Sequence, residues 1–222
     1  MKHRSYLHSC AAALLPLAAA LCLTCLPTAQ AKPGADQADG TAAAEKFVGE
    51  RKPTKAQETV ARAVASWLQR RHYTNRKITD EVSRTLFNEY FRALDPNKVY
   101  FLAEDLRAFS PYKLILDELL ERGKLRFAFD VYERFLQRVK ERSEYVDARL
   151  QRPFDFDKDE QMLIDREDLP WAADREALNQ VWDQRIKNQV LLERLKREQA
   201  REEGDKLPAE SVNESVSEHF RT

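Results

Sequence analysis

The chain has 222 residues, 33% of them charged, with 37 Lys and Arg balanced by 37 Asp and Glu, and only five glycines. This composition suits one globular domain rich in long helices. It excludes the strong positive field of a nucleic-acid or anionic-lipid binder.

Residues 1–31 differ in kind from the rest. Lys2 and Arg4 precede an apolar run from Ala11 to Leu26, and Ala29-Gln30-Ala31 puts small residues at both positions a signal peptidase reads. The pattern is that of a secretory signal peptide cut after Ala31. A membrane span is the weaker alternative, because Pro16 interrupts the run and its length falls short of the roughly 20 apolar residues a span needs. Cys10, Cys22 and Cys25 all lie in this segment, and Cys22-Leu23-Thr24 is a poor setting for a lipid anchor on Cys25. The exported chain is therefore expected to carry no disulfide and to rely on its own core. Cleavage removes two basic residues and no acid, leaving 35 basic against 37 acidic.

Lys32 to Pro53 is rich in Ala, Gly, Asp and Lys and reads as a disordered leader. Thr54 and Gln57 form a capping box ahead of a first helix to about Tyr73, with Val60, Val64, Trp67 and Leu68 as its face. Thr79 caps a second helix whose face is Val82, Leu86, Tyr90 and Leu94. Asp95-Pro96 ends it, since proline disfavours α geometry in the preceding residue and has no N–H for the ladder. Tyr100, Phe101 and Leu102 then turn inward, making a corner that locks two helices together.

A proline-interrupted helical region carries Leu106, Phe109, Leu114, Leu116, Leu119 and Leu120 and ends at Gly123. Ala128, Val131, Phe135, Val139, Arg142 and Val146 mark a long amphipathic helix to about Leu150, with Arg142 read as a snorkelling side chain. Phe154 to Ala173 is irregular. Asp174 opens a last long helix with Leu178, Val181, Trp182, Ile186 and Leu195 on its face, ending at Gly204 and Pro208. Residues 204–222 read as a polar tail or linker without a packing signal. The expected fold is all-α, about five helices over residues 54–203, long enough to bury a core of its own.

Chemistry is sparse. His72 and His219 are the only histidines after residue 31; the first suits a helix C-terminus, and the second falls in the tail. G-x-S-x-G is absent and the glycines are scattered singly, so nucleophile-elbow and phosphate-loop readings fail together. The alternation Asp155-Phe156-Asp157-Lys158-Asp159 begins like a calcium loop, but Glu160 stands where glycine is needed and Arg166 where a bidentate glutamate is needed. Phe154 and Phe156 are instead expected to point inward, with the acids facing water. No catalytic, cofactor or metal residue is assigned. In Asp165-Arg166-Glu167-Asp168-Leu169-Pro170-Trp171-Ala172, Pro170 favours an extended Leu169, and Trp171 is an anchor for either this domain or a neighbour.

Taken together, His72-Tyr73, Leu94-Asp95-Pro96, Tyr100-Phe101-Leu102, Asp165-Arg166-Glu167, Pro170-Trp171-Ala172 and Trp182 to Asn188 (WDQRIKN) resemble the N-terminal helical domain of bacterial tail-specific, or C-terminal processing, proteases. The resemblance covers about residues 55–195. It implies a periplasmic address, in agreement with the signal peptide. Proteases of this family carry a PDZ domain that grips a substrate's C-terminal end and a serine-lysine dyad that cuts it, and both lie beyond the N-terminal domain. This chain reaches Thr222 before either, so no catalytic residue is carried over. The implied role is a non-catalytic scaffold acting in proteolysis of proteins with apolar C-termini. Its implied partners are the PDZ and protease modules of the same or a separate chain, a periplasmic adaptor and unfolded substrates, with Tyr100, Phe101, Pro170, Trp171 and Trp182 as candidate contacts. The rival reading is a free-standing periplasmic helical binding module.

Overall fold

The computed structural model describes residues 52–71 and 79–221, so the signal segment, the leader up to residue 51, His72 and Tyr73 lie outside the described residues. The described residues form α1 (Lys55–Arg71), α2 (Asp80–Leu94), α3 (Ala103–Phe109), a 3₁₀ turn (Ser110–Leu114), α4 (Leu116–Glu121), α5 (Arg126–Leu150), α6 (Arg175–Glu203) and α7 (Val212–His219). The all-α expectation is met. Extended backbone pairing is confined, among the described residues, to one isolated parallel bridge, Leu102 with Ala172.

The helix ends follow local chemistry. The Thr54 hydroxyl accepts from the Gln57 backbone amide at 3.3 Å while the Gln57 side-chain oxygen Oε1 accepts from the Thr54 backbone amide at 2.8 Å, the reciprocal capping box. Asp174 accepts from the Ala177 amide at 2.8 Å and starts α6. Thr79 has the extended backbone of an N-cap, yet its side chain makes no cap bond. Gly123 and Gly204 both adopt positive φ and end α4 and α6. In each case the next residue's amide reaches back to the last turn, Lys124 to the Leu119 carbonyl and Asp205 to the Ala200 carbonyl.

The described residues group into two compact units, those up to 96 with 105–136, and 97–104 with those from 137 onward. The first is centred on Phe127. Its ring lies 5.7 Å from Phe87, 5.8 Å from Tyr90, 6.1 Å from Phe109 and 5.3 Å from Tyr112, in the tilted and edge-on arrangements that aromatic quadrupoles favour. Ser83, fully buried on α2, donates to the Asp117 carboxylate and accepts from the Asp117 amide, which fastens α2 to the start of α4.

Helix α1 does not pack through its largest residues. Val60 and Trp67, expected on its inner face, are exposed, and the buried positions are Ala61 and Ala65. The reason is close approach. A Cβ on Gly123 would lie 2.4 Å from the Glu58 carbonyl oxygen and 2.7 Å from Arg62 Cγ, so the helix backbone nearly touches the glycine. Only small residues permit that separation.

The second unit holds a core of Val99, Leu102, Val146, Leu150, Ala172, Leu178, Trp182, Ile186, Val190 and Val216, with Phe154, Phe156 and Phe220 packed against it. Phe154 and Phe156 thus point inward as expected, while Asp155, Asp157 and Asp159 are exposed. Two expectations are corrected. Leu195, assigned to the inner face of α6, is 52% exposed, because the packed face follows Leu178, Trp182, Ile186 and Val190 and then turns toward Glu193 and Arg197. Arg142 is buried and does not snorkel: its guanidinium donates to Asn179 at 2.6 Å and lies over the Tyr145 ring.

The segment read as a loose tail is also structured. Ser211 and Glu214 form a full capping box, and Val216 is completely buried. Phe220 lies 5.4 Å from Trp182 and 5.1 Å from His219. Asn213 donates to the Leu150 carbonyl, and Asp147 accepts from Ser217 and Arg221, so α7 is bonded along its length to α5.

Substituting Gly123→Ala places a side chain at φ +68° and against backbone. The expected cost is about 3 kcal/mol, seen as a lower urea midpoint. Gly204→Ala has the same kind of φ but nothing within 4 Å, and should cost only ~1 kcal/mol. Equal losses would contradict the close approach of α1.

Candidate functional site

Three stretches far apart in sequence meet in the second unit: residues 97–103, residues 165–172 and the first half of α6. The chain leaves α2 at Asp95, whose own amide still bonds back to the Phe91 carbonyl. Lys98 then adopts φ 52°, a left-handed conformation uncommon for a lysine. That turn points its ammonium at the 165–172 segment, where it donates to the carbonyls of Glu167 and Leu169. The receiving loop is shaped by its own bonds. Asp165 accepts from the Glu167 amide at 3.0 Å, and the Leu169 amide returns to the Arg166 carbonyl at 3.1 Å.

The two segments then join by backbone. Leu102 bridges to Ala172, and the Ala103 amide donates to the Ala172 carbonyl at 2.8 Å. Phe101 is fully buried and meets the Trp171 ring edge-on at 5.9 Å. The Lys98 ammonium also lies 5.6 Å from the centre of that indole, a cation–π contact.

Trp182 closes the arrangement from α6. It is 1% exposed, its indole N–H donates to the Val99 carbonyl at 2.6 Å, and Tyr100 stands edge-on to it at 5.7 Å. Tyr100 and Phe101 therefore turn inward as expected, onto Trp182 and Trp171. The five candidate contacts separate into two groups. Phe101 and Trp182 are buried in the core of the second unit. Tyr100 and Trp171 are half-buried and Pro170 is exposed, so these three have accessible surface.

Around this cluster α5 and α6 exchange polar contacts. Asp183 accepts from Tyr145 at 2.8 Å and from the Arg149 guanidinium at 3.0 Å. Arg149 also lies 3.7 Å from the centre of the Phe154 ring. Nearer the start of α6, Glu141 is shared by Arg138 and Arg175, and Arg138 reaches Glu104 at 2.7 Å. Burial, and then the nearby Arg175 and Arg138 charges, hold the Arg142 guanidinium below its ordinary value, only partly offset by Glu141. These groups hold one another, cation to carboxylate and ring to ring, within the second unit.

Sequence reasoning missed Lys98, Phe220 and the partners of α7. Nothing in Asn97-Lys98 signals a left-handed lysine. The S-x-x-E pattern at Ser211 and Glu214 was the available signal for α7.

The stretches that meet here define a class. The family model for the tail-specific protease N-terminal domain matches residues 64–221, and the chain belongs to that family. The match runs through α7, beyond the resemblance over residues 55–195. Among relatives, the tail-specific protease of Haemophilus influenzae (strain ATCC 51907 / DSM 11121 / KW20 / Rd) is 36% identical over 97 residues, 43% of this chain. The matched portion spans 14% of that relative's length.

Burial first, and then the bond to Asp183, push the Tyr145 phenol up to about 12. The fold favours the neutral phenol, whose unfolded value is about 10, so its stabilisation is complete below pH ~10 and lost as pH rises toward ~12. Tyr145→Phe should cost about 1 kcal/mol at neutral pH through the lost donor. The stability difference between the two proteins should then shrink across that alkaline window. A pH-independent difference in urea unfolding would contradict the assignment.

Proposed function

We propose that this chain is the non-catalytic helical scaffold of a periplasmic tail-specific serine endopeptidase, bracing PDZ and serine-lysine protease modules that lie outside these 222 residues. The observation that carries the reading is the family match over residues 64–221, which takes in the whole cluster built on Lys98, Phe101, Trp171 and Trp182. The similarity to a tail-specific protease of which this chain spans a small fraction supports a division of labour with other modules. Tyr100, Pro170 and Trp171 are the surface offered to them, since they are accessible yet fixed from behind by buried neighbours. A rigid aromatic backed by core loses little conformational freedom on docking, which favours it as a contact residue. Among the described residues no helix is long and apolar enough to cross a membrane. Export rests on residues 1–31, with cleavage after Ala31, and the substrates are unfolded proteins with apolar C-termini.

The test combines the chain with a tail-specific protease from which the matching N-terminal portion has been removed, using an unfolded substrate with an apolar C-terminus. The chain alone should cleave nothing, and together the two should restore cleavage. Trp171→Ala should weaken their association by about thirtyfold, the effect of losing a central aromatic contact, with helical content unchanged. N-terminal sequencing of the protein recovered from the periplasm should begin at Lys32. Cleavage by the chain alone, or no association, would contradict the scaffold role.

A further inference from the structure

Helix α1 carries two apolar stripes and packs through the smaller one. Ala61 and Ala65 are buried, while Ala56, Val60, Ala63, Val64 and Trp67, at i, i+4, i+7, i+8 and i+11, form a second stripe on another side. Val60 and Trp67 are 49% and 59% exposed, Ala56 and Ala63 are exposed, and Val64 is half-buried. The close approach at Gly123 leaves the larger side chains no place within the unit. A single outward valine needs no explanation, but a continuous stripe ending in tryptophan marks a docking surface.

The charges beside the stripe identify what covers it. Lysine and arginine balance aspartate and glutamate over the whole chain, which argues against a lipid partner, but the balance does not hold along α1. Residues 55–70 contain Lys55, Arg62 and Arg70 against one acid, Glu58. Lys55, Thr59, Arg62, Ser66 and Arg70 follow one flank of the stripe at helical spacing, and no acid interrupts them. Arg62 donates to the Thr59 hydroxyl at 3.2 Å, and none of the three cations forms an ion pair among the described residues. Glu58 lies on the packed side, where its carbonyl oxygen approaches Gly123, and Glu121 of α4 accepts there from Gln69. The other flank carries Gln57 and Leu68, without charge. Apolar residues ending in a tryptophan, with cations alongside, are the pattern of a helix that lies in the plane of a bilayer interface. The indole sits at headgroup depth, and the long basic side chains reach the phosphates. We propose that α1 lays its Val60–Trp67 stripe on the surface of an anionic phospholipid bilayer, with Lys55, Arg62 and Arg70 against the headgroups. So short a stripe binds reversibly and does not insert across the membrane.

Vesicle binding tests this on the exported chain beginning at Lys32, since an uncleaved apolar run at residues 11–26 would bind lipid by itself. With vesicles of about one-third phosphatidylglycerol in phosphatidylcholine, half of the protein should co-sediment at about 1 mM lipid, and Trp67 emission should shift to the blue. Trp67→Phe assigns that emission. Pure phosphatidylcholine, or about 0.5 M salt, should weaken binding at least about tenfold. Trp67→Ala changes an exposed position, so it should leave helical content unchanged while weakening binding about tenfold. Lys55→Gln with Arg70→Gln should weaken it about twentyfold, at roughly fivefold for each charge. No binding at about 5 mM anionic lipid, or binding indifferent to Trp67→Ala, would overturn the site. Equal binding to both kinds of vesicle would overturn the role of the cations. A blue shift of Trp67 that grows with protein concentration in the absence of lipid would give the face to a second copy of the chain instead.

Discussion

The indole N–H of Trp182 and the carbonyl of Val99 form the contact on which the second unit depends. Both groups are out of water, the bond is 2.6 Å long, and it joins α6 to the segment that follows α2 in the chain. A buried polar group without a partner costs more than most single packing contacts provide, so the pairing fixes where the chain must pass after leaving α2. Much of the surrounding geometry follows from it. Tyr100 turns onto the indole edge, Phe101 faces the opposite way into the 165–172 segment, and Phe220 covers the ring from α7.

That constraint explains why stretches separated by some 70 residues behave as one feature. Residues 165–172 have no helix or sheet of their own, and what holds them is the Lys98 ammonium, the Ala103 amide and the Phe101 ring. A loop fixed by two main-chain acceptors and a buried aromatic retains little freedom. Its exposed Pro170 and half-buried Trp171 are accordingly held in one orientation.

The helical architecture was legible because its signals are local. Capping boxes, Asp95-Pro96, Gly123 and the three-four spacing of apolar residues act within one or two turns. Failures came where tertiary contact overrode the pattern. Val60 and Trp67 were read as the inner face of α1 because they are large, whereas the backbone's closeness to Gly123 admits only Ala61 and Ala65. The stripe of α6 was extended through Leu195, but the packed face bends toward Glu193 and Arg197, where α7 lies. In α7 itself the apolar stripe is a single residue wide, Val212, Val216 and Phe220, too narrow to stand out from its polar neighbours. The candidate contact residues were half legible: their aromatic character was visible in the sequence, but which of them face inward depends on the turn at Lys98.

Hydrogen exchange at the three tryptophan indoles tests the central constraint most directly. Trp67 is exposed, Trp171 half-buried and Trp182 buried with its N–H bonded, and Trp182→Phe assigns the last signal. The account predicts that the Trp182 indole proton exchanges only through cooperative unfolding of its unit, with a denaturant dependence matching the protected amides of α6, while the Trp67 proton exchanges at the solvent rate. A Trp182 proton that exchanges as fast as that of Trp67 would show that the Val99 bond does not hold the cluster together.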